Sequence, residues 1–226
     1  MPTQTRFVLL MHPKEFKREK AGTGRLTHLC LPNSEIQVGV EFDRHRAVQA
    51  LIDDPSNAVH LLYPGEQAVN LSAGQLVPAD LDGRRLVILV LDATWSCARK
   101  MLKLSPSLQR LPRLMITPSK VSRFVIKQQP WAGCLSTLES VHEVLTALAD
   151  SQLDTYAQPT QLLELFDRMQ AYQIRCATDP DRGGYRRSEY KAPGERTPFR
   201  GRSARRRANF FREPLAGDQS AAGTSP

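Results

Sequence analysis

Cysteine is scarce and scattered. Cys30, Cys97, Cys134 and Cys176 stand far apart, with no CxxC pair and no histidine at ligand spacing. That pattern excludes a disulfide scaffold and a cysteine-framed zinc fold. It fits a reducing, cytosol-like compartment in which thiols pack as small apolar groups. His12, His28, His45, His60 and His142 show no paired metal spacing either, so no metal is expected. No stretch approaches the roughly 20 apolar residues of a membrane helix. The opening MPTQTRFVLLMHPK runs into charge rather than a small-residue cleavage site. A soluble, cytoplasmic protein without a membrane partner is expected. Internal repeats are absent, and so are GxGxxG and GxxxxGK[ST] loops, which weighs against an ordinary nucleotide-binding α/β protein.

What is present is enough for one well-packed domain and a tail: 226 residues, 41% of them hydrophobic. Of the net charge of +8, a surplus of six lies between Asp181 and Pro226, where eleven Arg or Lys face five Asp or Glu. The body, residues 1–178, is therefore nearly balanced, and the segment 179–226 is strongly basic. This tail is rich in Gly, Pro, Ser and Arg, without sustained periodicity. It has too little apolar surface to offset the entropy of ordering and is expected to be disordered in isolation. Its interleaved Arg and aromatic residues (Tyr185, Tyr190, Phe199, Phe210, Phe211) suit loose contact with RNA. A merely solubilising tail is the alternative.

Five near-continuous apolar runs read as strands: Arg6–His12, Ser34–Val40, Ala58–Gly65, Arg85–Asp92 and Arg113–Pro118. Runs without polar alternation suit strands covered on both faces, as in a parallel sheet. Helical patterns lie around Gly24–Leu31, Arg44–Ile52 and Trp95–Leu104. Leu138, Val141, Leu145 and Leu148 form one stripe of a longer helix, and a last helix spans about Gln161–Ile174. The fold class expected is α/β, a mostly parallel sheet flanked by helices.

Ligands of such sheets sit beyond the carboxyl ends of the strands. Three segments fall there: LLYPGEQA after the third strand, DATW after the fourth, and GCLSTLES before the long helix. Each has a purely structural reading. Asp92 suits an N-cap of the next helix, Ser136 to Glu139 fit an S-x-x-E capping box, Tyr63 to Glu66 form an ordinary turn, and Trp95 is at core spacing with Ala98 and Leu102.

The combination is more specific. TGRL (Thr23–Leu26), LLYPGE (Leu61–Glu66), LDATW (Leu91–Trp95), SRFVIKQQP (Ser122–Pro130) and LSTLES (Leu135–Ser140) occur in that order. The series resembles the DTW-domain family, whose Asp-x-Thr-Trp signature is met as Asp92, Ala93, Thr94 and Trp95. The likeness runs from about Arg6 to about Ile174. It implies a SPOUT-like fold with a knot near the C-terminal end of the sheet. It also implies a tRNA-uridine aminocarboxypropyltransferase that uses S-adenosylmethionine (SAM) as donor and tRNA as partner. Asp92 is the expected catalytic base, with Thr94 and Trp95 beside it. Leu62, Pro64, Gly65, Leu91, Gly133, Leu135, Ser136, Thr137 and Glu139 are expected to hold the donor, and Glu139 is the rival base. Arg25, Arg99, Lys100, Arg123 and Lys127 are expected to contact RNA. Many bacterial relatives carry a cysteine-rich, zinc-binding segment ahead of the first strand. No such cluster precedes RFVLLMHP here. SPOUT-like proteins are often dimers, which makes a homodimer one alternative. A SPOUT-like RNA methyltransferase and a non-catalytic RNA-binding or ribosome-assembly factor are the competing functions.

Overall fold

Runs of Val, Leu and Ile without polar alternation fold here into one six-stranded, all-parallel sheet. The structure, a computed structural model, describes residues 1–19, 21–127, 133–179, 181 and 191–196. Most of the basic tail expected from 179 onward lies outside the described residues. The elements in chain order are β1 (Arg6–Met11), α1 (Pro13–Arg18), α2 (Thr23–Cys30), β2 (Ser34–Val38), α3 (Arg46–Asp53), β3 (Asn57–Leu62), β4 (Val69–Asn70) and α4 (Pro78–Leu81). There follow β5 (Arg85–Asp92), α5 (Trp95–Lys103), α6 (Pro106–Gln109), β6 (Arg113–Met115), α7 (Thr137–Asp150) and α8 (Gln161–Thr178).

All five expected strands form, and most end earlier than their apolar runs. β3 stops at Leu62 because Pro64, two residues on, cannot donate to a ladder. The elements not foreseen are short. β4 has two residues, and α1, α4 and α6 have four to six, each with Pro at its start. Such lengths are too brief to show a period.

The strand order is β2-β1-β5-β3-β6-β4. Alternation along each strand divides the core between the two faces. Phe7, Leu9, Ile88 and Val90 pack with Leu138, Val141, Leu145 and Leu148 of α7 and with Leu162 and Phe166 of α8. Val8, Leu10, Val87 and Leu89 pack on the other face with Val48, Met101 and Leu108. Each such side chain, when fully buried, contributes about 1.5–3 kcal/mol. Among the described residues, no helix is long and apolar enough to cross a membrane.

One consequence of the order locates the site. After β1 the next strand, β2, lies on one side, whereas after β5 the next strand, β6, lies on the other. The direction of winding therefore reverses between β1 and β5. The crevice beyond the carboxyl ends of two such strands is where open parallel sheets take ligands. Met11 and Asp92 are register partners at the last rung there.

Candidate functional site at the carboxyl edge of the sheet

Asp92 shares its parity with Leu86, Ile88 and Val90, so its carboxylate is directed to the face covered by α7 and α2. It is only 8% exposed. The Thr137 hydroxyl, on the first residue of α7, donates to its Oδ1 at 2.6 Å. From the other side α2 comes so close that a methyl group added at Gly24 would stand 2.5 Å from Asp92 Cγ and 2.9 Å from Oδ1. Glycine is required at 24 to admit the carboxylate. Burial pushes the Asp92 pKa above the ordinary carboxylate value. The Thr137 hydrogen bond opposes this, Glu15 adds to it, and Lys127 and Arg25 counter it.

The capping reading of Asp92 is overturned. The N-cap of α5 is Thr94, without a side-chain capping bond, and the carboxylate is engaged across the sheet. Thr94 is exposed, its hydroxyl 3.3 Å from that of Ser96, and Trp95 opens α5 half-buried.

The second carboxylate has a different situation. Ser136 caps α7, accepting from the Glu139 N–H at 3.3 Å, and Glu139 accepts from the Ser136 N–H at 2.8 Å. Glu139 also accepts from the Arg123 N–H at 2.6 Å and the Ser122 hydroxyl at 2.9 Å. Both oxygens of this buried side chain are thus engaged in holding the segment Ser122–Lys127 against α7. Gln170 of α8 adds a second anchor, donating to the Arg123 carbonyl at 3.0 Å and accepting from the Val125 N–H at 2.7 Å.

His12, the residue after β1, donates its backbone N–H to the Asp92 carbonyl at 3.1 Å, and its ring Nδ1 accepts from the Lys14 backbone N–H. Burial, and then the Lys14 charge, hold its pKa below the usual histidine value. His12 and Gly24 were absent from the expected site. Gly24 carried a signal, because it sits inside TGRL. His12 carried none, because its nearness to Asp92 comes from strand pairing.

The other expected residues are distributed as follows. Leu62 pairs in register with Val90 and packs on the α7 face, whereas Leu91 packs on the opposite face. Leu91 is one residue beyond Val90, half a strand period, so it and Leu62 face opposite ways and do not line one wall. Leu135 and Gly133 are half-buried just before Ser136, and Pro64 is exposed. Gly65 follows β3, the neighbour of β5, and a methyl group there would stand 2.9 Å from the Arg113 guanidinium. That guanidinium lies 5.6 Å from the Tyr63 ring centroid. Ser136, Thr137 and Asp92 are thus brought together, with Gly65 one strand over on the same edge.

Of the basic residues, Arg25 and Lys127 act electrostatically on Asp92, Lys100 on His12 and Arg99 on Tyr63. Four of the five expected RNA contacts therefore surround this edge. Arg123 instead reaches away to α8, where it pairs with Asp167 at 2.8 Å. Lys127 is held 3.5 Å from Glu19. Gln128 to Pro130 lie outside the described residues. Among the described residues, no three His, Cys, Asp or Glu are grouped as a metal ion would need.

The model of the DTW domain matches residues 1–174. A curated tRNA-uridine aminocarboxypropyltransferase 2 of Drosophila melanogaster is 32% identical over 149 residues, 64% of this chain and 56% of that protein. The mouse protein of the same name is 31% identical over 180 residues, 77% of this chain and 59% of its own. The tRNA-uridine aminocarboxypropyltransferase A of Arabidopsis thaliana is 26% identical, covering 66% of this chain and 64% of its own. The chain spans less than two thirds of the length of each of these relatives. No solved structure matches it.

Proposed function

The chain belongs to the DTW-domain family, and from that membership we propose that it transfers the 3-amino-3-carboxypropyl group of SAM to N3 of a tRNA uridine. The observation that carries this reading is a buried carboxylate, Asp92, at the reversal point of a parallel sheet, held by Thr137 and Gly24. Relatives named for the same transfer support it.

The donor is a sulfonium whose γ-carbon is electrophilic. Attack by uridine N3 forms the N3–Cγ bond, the Cγ–S bond breaks with its electron pair going to sulfur, and 5′-methylthioadenosine leaves. The N3 proton passes to Asp92. A carboxylate whose basicity is raised by burial suits that task. The donor set also suits a cation, since the carboxylates of Asp92 and Glu15 lie in one region, and half-buried Leu62 and Leu135 suit its apolar parts. Holding the γ-carbon rather than the methyl toward N3 selects this transfer over methylation, and such alignment is worth several kcal/mol. Arg99, Lys100 and Lys127 supply positive charge for the tRNA backbone at the same edge.

The direct test incubates the purified chain with unmodified tRNA and SAM and follows the nucleosides by mass spectrometry. An aminocarboxypropyl adduct on uridine is expected. A methyl adduct would make the chain a methyltransferase, and no adduct together with no SAM binding would leave a non-catalytic RNA-binding protein.

Thr137 is a positioning residue in this scheme. Its hydroxyl favours the ionised form of Asp92, so Thr137→Val is expected to raise the Asp92 pKa further. Transfer then falls off at a higher pH as the solution is acidified. The variant loses about 1 kcal/mol of stability with its hydrogen bond. A pH–rate profile with an unmoved acid limb would separate Thr137 from Asp92.

A further inference from the structure

We propose that Arg25 holds the α-carboxylate of the aminocarboxypropyl chain, and so selects a donor that carries one. This rests on the transferase reading and assigns Arg25 to the donor rather than to tRNA.

Arg25 is the third residue of α2, next to the glycine that abuts Asp92. Two contacts fix its guanidinium. Nη2 donates to the Phe16 carbonyl at 2.9 Å, and the group lies over the Phe16 ring, 4.2 Å from its centroid. An arginine stacked and tethered in this way has little freedom left to seek another partner. Its Nε is nevertheless buried and has no hydrogen-bond acceptor. An unanswered buried donor on a charged group is costly. The start of α2 adds to the demand, because its N-cap, Gly22, supplies no side-chain acceptor to the first turn. A fixed cation with an unmet donor, beside uncapped helical amides, is built for an anion.

Two anions are at hand in the proposed reaction, the donor carboxylate and a tRNA phosphate. Location favours the carboxylate. Arg25 is close enough to act electrostatically on Asp92. The carboxylate carbon is tied to the reacting γ-carbon by three C–C bonds, roughly 4 Å, so it must lie near the base that serves that carbon.

The test compares SAM with decarboxylated SAM, which keeps the sulfonium and adenosine and lacks only the carboxylate. Binding to the full chain is measured by calorimetry for the parent, Arg25→Gln and Arg25→Lys, with tRNA binding measured in parallel. The parent is expected to prefer SAM by about tenfold or more. Arg25→Gln is expected to bind the two ligands within about twofold, at the parent's affinity for decarboxylated SAM and with unchanged tRNA affinity. Arg25→Lys, which keeps the charge and loses the Nε donor, is expected to fall between. If the parent binds SAM without preference, the proposal fails, whatever the variants' folding. It fails equally if Arg25→Gln keeps the preference, or keeps it while losing tRNA affinity, which would assign Arg25 to a phosphate. A parent that binds neither ligand overturns the transferase reading itself.

Discussion

Asp92→Asn is expected to lower the proposed transfer by about 10²- to 10⁴-fold, the range for loss of a positioned general base, while leaving the chain folded. The two halves of this expectation have one cause. Burial raises the pKa of Asp92 in the folded chain above its unfolded value. Below the ordinary carboxylate pKa the group is protonated in both states and costs nothing. As pH rises through the raised, folded-state pKa, stability is lost, because the unfolded chain ionises more readily. Above that raised pKa, then, ionised Asp92 weakens the fold. Asparagine removes that charge and can still accept from the Thr137 hydroxyl. Its thermal midpoint at pH 7 should equal or exceed the parent's, and the difference should vanish in acid. In the parent, transfer should decline on acidification through a pKa higher than the usual carboxylate value. Near-parental turnover by Asp92→Asn would remove Asp92 from the proton transfer.

Glu139→Ala is expected to do the opposite, costing about 3 kcal/mol of stability. It leaves the N–H groups of Ser136 and Arg123 and the hydroxyl of Ser122 without their acceptor, and it removes half of a capping box. Urea denaturation should show a lower midpoint at an unchanged slope. Glu139→Gln keeps the shape and one acceptor oxygen, so it should recover part of the loss. Because Glu139 holds Ser122–Lys127, the Ala variant should also weaken whatever Lys127 contributes to tRNA binding. A fully stable Glu139→Ala variant with abolished transfer would return Glu139 to the role of base.

These two carboxylates show how far the residues alone could be read. Asp92 reads in the sequence both as a helix cap and as the expected base, and Glu139 both as half of a capping box and as the rival base. Glu139 does cap, through contacts within three residues of itself, and those contacts are written in S-x-x-E. Asp92 does not cap, because its partner stands 45 residues away on α7. Leu62 and Leu91 illustrate the same limit. Each sits in a strand run that is apolar throughout, and such a run does not say which side chain meets which face. Arg123 fell in a family-like segment, yet Asp167, 44 residues on, takes its guanidinium.

The sequence by itself determined what depends on near neighbours: the apolar runs that became parallel strands, the stripe of α7, its cap at Ser136, and membership of the DTW-domain family. Tertiary structure alone decided which acid is buried beside Thr137 and Gly24 and which is consumed by backbone N–H groups. It also drew Arg25, Arg99, Lys100 and Lys127 to one edge and paired Arg123 with Asp167 of α8. The reason is physical. Caps and periodicity arise within a turn or two of chain, whereas desolvation and charge pairing depend on groups that only the packed sheet and helices bring together.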